Sequence, residues 1–315
     1  MTVPPTEAVM TVSHRPAFRR VLCPTDFSEF STASLTYAAA LAASYGSALR
    51  LLHVLTPFPI VPPLVDVPGG AQLYESQRLQ GQQALEAEAA RIRRPGVTVD
   101  VELRDGSAVH EVLTAAREWQ ADLIVLGTHG RGGVERLVLG SVAEKVLRKA
   151  TCAVLAVPHG AIASAGGAER ITHVLCAHDG SEASAAGVAY AVSLASATGA
   201  KLTLVSVVEA LPYGGDFTGP DFAAFRAARD AHAREALDSA LPADVRVHCN
   251  VHDRLVYGHP AQQILEVAAQ EAPDLLVMGV QGRGALDLLM FGSTANHVVR
   301  HASCPVLTVR PAAGV

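Results

Sequence analysis

The sequence is poor in charge and has no concentration of it. Only 17% of its residues are Asp, Glu, Lys or Arg, and the net charge is −5. The basic residues are dispersed, so no stripe exists to neutralise nucleic-acid phosphates, and nucleic acid is not an expected partner. No apolar run approaches the ~20 residues needed to cross a bilayer. Met1 to Pro16 lacks the basic-then-apolar order of a signal peptide, which makes a cytoplasmic location the expectation and excludes a membrane partner from it. Cysteine occurs five times, never as Cys-x-x-Cys, so neither a zinc site nor a thioredoxin-like motif is present. An odd count also fits a disulfide framework poorly, and the thiols are read as reduced packing residues. His110, His248, His252 and His259 do not recur as a set, and they are assigned to surface or packing roles with no metal held by protein alone. There is no Gly-x4-Gly-Lys-Ser/Thr run and no Ser-Gly-Gly-x-Asp-Ser loop, which removes two common nucleotide-handling enzyme classes.

What is present is apolar bulk and repetition. Half of the 315 residues are apolar, enough for two ordinary cores. Val21-Leu22-Cys23 and Asp26 recur as Val174-Leu175-Cys176 and Asp179. Ser28-Glu29, Ser31, Tyr37, Leu41, Gly46 and Val54 recur as Ser181-Glu182, Ser184, Tyr190, Leu194, Gly199 and Val207. Asp122 to Gly127 and Cys152 to Val157 meet Asp274 to Gly279 and Cys304 to Val309 at an offset one residue shorter, so a deletion lies mid-repeat. The expected organisation is a disordered tail over 1–16, a first domain over 17–158, an Ala/Gly/Ser-rich linker over 159–169 and a second domain over 170–311.

Within each copy, short apolar runs alternate with longer amphipathic stretches, the pattern of a parallel sheet flanked by helices. The pattern predicts strands near 18–23, 48–54, 97–103, 122–127 and 153–157, then near 171–177, 201–207, 244–250, 274–278 and 305–309. Helices are expected near 31–45, 72–93, 107–119 and 141–149, then 182–198, 221–240, 259–271 and 293–301. Ser28 and Ser181 stand where helices start, and Gly46 and Gly199 where they stop. The Pro/Gly-rich segments 56–70 and 211–220 read as loops over one end of the sheet.

The chemistry concentrates after the fourth strand of each copy. Gly127-Thr128-His129-Gly130 is followed, nine residues on, by Gly140-Ser141. Gly279-Val280-Gln281-Gly282 is followed at the same spacing by Gly292-Ser293. A glycine ending a strand lets the backbone turn or a ligand approach. The amino end of the next helix has unsatisfied amides and a dipole that favours an anion such as phosphate. Ser141 and Ser293 have hydroxyls suited to capping, to a phosphate oxygen or to magnesium. Asp26 and Asp179 end the first strand of each copy, read either as turn aspartates or as groups facing a ligand crevice at a switch in winding direction.

These residues carry a family likeness. Pro24-Thr25-Asp26-Phe27-Ser28, Asp179-Gly180-Ser181-Glu182, Gly127-Thr128-His129-Gly130-Arg131 and Gly140-Ser141-Val142 to Val146 resemble the universal stress protein family over nearly the whole chain. The paired Gly-x2-Gly-x9-Gly-Ser motif is similar to that of its ATP-binding branch. The likeness implies two tandem Rossmann-like, doubly wound α/β domains, each a five-stranded parallel sheet in the order 3-2-1-4-5. It also implies one ATP per domain, with Mg2+. Asp26 and Asp179 would receive adenine or the ribose edge, and the backbones of Val54 and Val207 would read adenine. Gly130, Gly140, Ser141 and Val142, with Gly282, Gly292, Ser293 and Thr294, would hold phosphates, while Gly127 and Gly279 would shape the approach. Arg131 and Arg283 are candidates to neutralise phosphate charge. In the second copy Ala177-His178 replaces Pro24-Thr25 and Gln281 replaces His129, changes that bear on the fit around the base.

The leading expectation is a regulatory ATP-binding protein, at most a slow ATPase, whose nucleotide state sets assembly or affinity for a regulatory protein partner. The two repeats are expected to form an intramolecular pseudo-dimer, with a homodimer as a further state. The competing class is a nucleotide-independent dimerisation scaffold of the same fold, against which the intact motif in both halves counts.

Overall fold

A computed structural model describes residues 18–56, 70–128, 139–158, 171–209, 220–280 and 291–311. The expected tail, the linker, nearly all of the two Pro/Gly-rich loops, and His129, Gly130, Arg131, Gln281, Gly282 and Arg283 lie outside the described residues. In the first copy the order is β1 (Arg20–Pro24), α1 (Glu29–Tyr45), β2 (Ala48–Leu55), α2 (Gly70–Ile92), β3 (Val99–Asp105), α3 (Ala108–Glu118), β4 (Leu123–Gly127), α4 (Ser141–Lys149) and β5 (Ala153–Val157). The second copy runs β6 (His173–Ala177), α5 (Glu182–Thr198), β7 (Lys201–Val208), α6 (Pro220–Ser239), α7 (Ala243–His248), β8 (Val251–Tyr257), α8 (Pro260–Glu271), β9 (Leu275–Gly279), α9 (Ser293–His301) and β10 (Val306–Val309).

The helix signals act as the chemistry of their residues requires. The Ser28 and Ser181 hydroxyls accept from the amides of Ser31 and Ser184, satisfying a donor in the first turns of α1 and α5. Gly46 and Gly199 close the same helices in the left-handed conformation, at φ 67° and 69°. Strands such as Leu-Ile-Val-Leu in β4 and Ala-Val-Leu-Ala-Val in β5 are buried on both faces, as a parallel sheet between helix layers demands.

Each half has the strand order 3-2-1-4-5, and the halves join into one ten-stranded sheet, β3-β2-β1-β4-β5-β10-β9-β6-β7-β8. All neighbours are parallel except β5 and β10, which pair antiparallel with Leu307 opposite Leu155. Thr308 donates its hydroxyl to the Val154 carbonyl across this junction at 3.1 Å, and Arg300 meets Glu144 at 3.3 Å. The Phe18 and Tyr190 rings stack between the copies at 5.8 Å. The apolar core on each face of the sheet contains residues of both copies. Because the junction is antiparallel, the carboxyl ends of the two sets of strands face opposite ends of the sheet.

One expected strand is a helix. Residues 244–250 read as a strand because Val245 and Val247 alternate, but most of that segment forms α7, and the strand follows it as β8. In a strand both valines would share a face; here Val245 is 7% exposed and Val247 79%. Asp244 in the first turn favours the helix through its dipole. β8 was hard to see because it is an edge strand whose His252, Asp253 and Arg254 are exposed, and edges are protected by charge. The deletion between the copies falls before α2, since Leu85 of α2 and Leu237 of α6 are already buried counterparts at the shorter offset.

The five thiols are unpaired, and three of them are buried. Burial pushes those of Cys23 and Cys176 up to about 12, keeping them protonated, as packing residues would be. Among the described residues no helix is long and apolar enough to cross a membrane.

Because both cores span the junction, the copies are expected to unfold as one unit. Trp119, the sole tryptophan, lies in the first copy under the Arg50 guanidinium, 4.4 Å away. Its fluorescence should therefore lose native character at the same urea concentration as the far-ultraviolet circular dichroism of the whole chain. Two separated transitions would contradict a shared core.

Candidate functional site

β1 lies between β2 and β4, and β6 between β7 and β9, so in each copy the aspartate and the glycine loop end neighbouring strands. In the second copy they share a cleft of about 840 Å³. Its walls bring together Ala177, His178, Asp179, Val207, Gly279, Gly292, Ser293 and Thr294 from the expected set. In the first copy Pro24, Thr25, Asp26 and Val54 stand at or beside the carboxyl ends of β1 and β2. Gly127 ends β4, and Gly140, Ser141 and Val142 open α4 at the same end of the sheet.

Both aspartates form turns. Asp26 Oδ1 accepts from the Ser28 amide at 3.0 Å and the Ser28 hydroxyl at 2.5 Å, and Asp179 Oδ1 accepts from the Ser181 amide at 2.9 Å. The turn role is thus real, and it holds each carboxylate at the crevice. Behind them the copies differ. Buried Thr25 donates to the Ser31 hydroxyl at 3.1 Å, whereas buried His178 places Nδ1 3.0 Å from the Ser184 hydroxyl. Each pair ties a strand end to the first turn of the next helix.

The ends of the two glycine loops are closed by equivalent backbone bonds. The Gly140 amide donates to the Thr128 carbonyl and the Gly292 amide to the Val280 carbonyl, both at 2.8 Å. Gly140 and Gly292 are the N-caps of α4 and α9, at φ −58° and −57°, and neither makes a side-chain cap. Those angles suit any residue, so backbone strain does not account for glycine at either position. Gly279 answers to a different need. A Cβ there would stand 2.6 Å from the Ala183 carbonyl carbon and 2.8 Å from the Ser184 amide, so its missing side chain admits the backbone of α5 as well as bordering the cleft.

Sequence reasoning missed part of the cleft. Ser184, Ser206, Arg229 and His232 line it, two of them from α6. The available signal was the comparison of copies, since Arg229 and His232 fall where the first copy has Gln77 and Gln80. Among the described residues no group of three or more His, Cys, Asp or Glu side chains is arranged to hold a metal.

A model described as the universal stress protein family matches residues 17–158 and 170–310. A universal stress protein of Mycolicibacterium smegmatis is 30% identical over 305 residues, covering 92% of this chain and 97% of that one. The crystal structure of a universal stress protein from Archaeoglobus fulgidus covers 95% of this chain and 98% of its own at a TM-score of 0.65 and 21% identity, a likeness of fold. A universal stress protein solved in complex with cAMP is 25% identical, with a TM-score of 0.34, over 45% of this chain and 97% of its own.

The close approach at Gly279 makes a stability prediction. Gly279→Ala should cost roughly 1–3 kcal/mol through overpacking against backbone that cannot yield. Gly46→Ala, where a Cβ meets nothing within 4 Å but φ is left-handed, should cost about 1 kcal/mol. Urea denaturation compares the two, and a Gly279→Ala protein as stable as the parent would refute the packing role.

Proposed function

This chain belongs to the universal stress protein family, and on that premise we propose that each of its two domains binds one ATP as a regulatory ligand. The phosphates would rest on the amino end of α4 or α9, and the adenosine at the carboxyl ends of β1 and β2 or β6 and β7. The observation that carries this reading is that the two helices following the repeated glycine motif both open on an uncapped glycine, while the uncapped starts of α3, α7 and α8 carry Ser107, Pro242 and His259. Ser28 and Ser181 cap α1 and α5 with their side chains, whereas Ser107, at the start of α3, makes no such bond. At α4 and α9 the chain places glycine, at angles any residue could adopt and with no side-chain cap, at the end of the motif spacing. The amino end of a helix, with its unsatisfied amides and positive dipole, favours an anion. The second cleft, about 840 Å³, is in the range of small-molecule sites.

In this reading Asp26 and Asp179 meet the ribose or adenine edge, and the Val54 and Val207 backbones read adenine, with Pro24-Thr25 and Ala177-His178 beneath. Gly130 and Gly282 hold phosphate together with Gly140 to Val142 and Gly292 to Thr294. Arg131 and Arg283 neutralise charge, and His129 is a contact of the first site alone. Magnesium would ride on the phosphate oxygens, with Ser141 or Ser293 as the protein's contribution, and would supply charge neutralisation. In this reading the nucleotide acts by setting assembly or partner affinity, with turnover far below the ~10 per second of typical enzymes.

Calorimetry tests the sites. The parent should bind two ATP per chain, Gly140→Val or Gly292→Val one, and the double variant none, with circular dichroism native throughout. Valine accepts φ near −58°, so a loss of binding would report the intruding side chain rather than strain. A hundredfold excess of ATP over Kd should add about 2.7 kcal/mol of stability. Folded variants with unchanged stoichiometry would sink the placement.

A further inference from the structure

The two clefts are not copies of each other. In the first domain Phe27, held at a left-handed φ of 62°, packs against His53 with ring centroids 4.3 Å apart and the rings tilted by 39°. His53 also reaches to 3.7 Å from the point where a Cβ would stand on Gly81 of α2. Two rings therefore fill the space between the end of β2 and α2. Their counterparts in the second domain are Gly180, at φ 77°, and Ser206, which together remove both rings. The second cleft accordingly extends to α6: Ser206, Ala228, Arg229, His232 and Ala233 all line it. In the first copy the positions of Arg229 and His232 are Gln77 and Gln80, both neutral.

Resting on the reading of both domains as adenine-nucleotide sites, we propose that the second cleft selects a nucleotide with a second phosphate on its ribose. That phosphate occupies the lobe between β7 and α6 that Phe27 and His53 fill in the first domain. One anion site is the amino end of α9, at Gly292 to Thr294, where the 5′ phosphates lie. The other is the α6 wall, where Arg229 offers a permanent charge and a planar fork of donors matched to phosphate, and His232 a further ring nitrogen. Among the described residues the carboxylates that line the cleft, Asp179 and Glu209, stand at the ends of β6 and β7. Among the described lining residues the carboxylates thus lie on the strand side, where the sugar hydroxyls would pass, while α6 supplies Arg229 and His232 and α9 the positive end of its dipole. In the first domain the same ligand would meet two rings and two glutamines.

Isomers of equal phosphate count separate this idea from general anion attraction. In the Gly140→Val chain, which leaves the second cleft, calorimetry should show adenosine 3′,5′-bisphosphate or its 2′,5′ isomer binding on the order of tenfold more tightly than ADP, as charge-assisted hydrogen bonds to arginine allow. In the Gly292→Val chain, which leaves the first cleft, ADP should bind more tightly than both isomers. Adding Gly180→Phe with Ser206→His to the Gly140→Val chain rebuilds the ring pair at a φ phenylalanine already adopts at residue 27, and should abolish the preference while retaining ADP. Arg229→Gln, a change on a half-exposed helix face, should also abolish it without bearing on the backbone. ADP binding at least as tightly as both isomers in the second cleft would overturn the proposal, as would a preference that survives Arg229→Gln. If neither ATP nor ADP bound to the parent chain, the underlying reading would fall and this one with it.

Discussion

The antiparallel pairing of β5 with β10 is the contact on which the rest of the architecture depends. Each half alone would end in a short, apolar, unpaired strand, with a row of exposed amides and carbonyls beside a hydrophobic face. Such an edge is a template for aggregation. Pairing β5 with β10 satisfies both edges at once and converts them into the two central strands of one sheet. The remaining edges, β3 and β8, are the ones that carry exposed charge, including Asp100 on β3 and Asp253 on β8. The junction also sets where the candidate sites lie: because it reverses the strand direction, the strand ends that carry them face opposite ends of the sheet, and the described residues lining the second cleft all belong to the second copy.

The glycines of the motif show how one residue type serves different physical ends. Gly46 and Gly199 are needed for their left-handed φ. Gly279 is needed because α5 crosses β9 too closely for a Cβ. Gly140 and Gly292 sit at φ −58° and −57°, angles any residue adopts, so conformational freedom is not what glycine provides there. A repeated glycine pattern is therefore not one signal but several, and the positions that need no left-handed φ are the ones to test for a ligand.

Duplication kept the frame and let the crevices diverge. The turn aspartates, the helix caps and the loop closures are the same in both copies, because each is a local backbone solution that the fold requires twice. The side chains behind them differ: Thr25 against His178, Phe27 against Gly180, His53 against Ser206, Gln77 and Gln80 against Arg229 and His232. Thr25 and His178 still tie a strand end to the next helix in each copy, and His178, Ser206, Arg229 and His232 border the cleft of the second.

The sequence alone determined the repeat, the α/β class, most strands and helices, and the helix ends at Ser28, Ser181, Gly46 and Gly199. These rest on local chemistry: caps, periodicity and apolar runs buried on both faces. It failed at 244–250, where alternating valines belong to a short helix, and at β8, because an edge strand covered on one face need not look apolar. Strand order came from family likeness rather than from periodicity, since pairing joins residues far apart in the chain. Three decisions belong to the tertiary structure only. It merged two sheets through β5 and β10, it gave Gly279 its reason by laying α5 across β9, and it carried Arg229 and His232 on α6 to the wall of a cleft whose other residues lie tens of positions away. Each depends on which elements become neighbours, a consequence of how apolar faces pack together that local sequence does not specify.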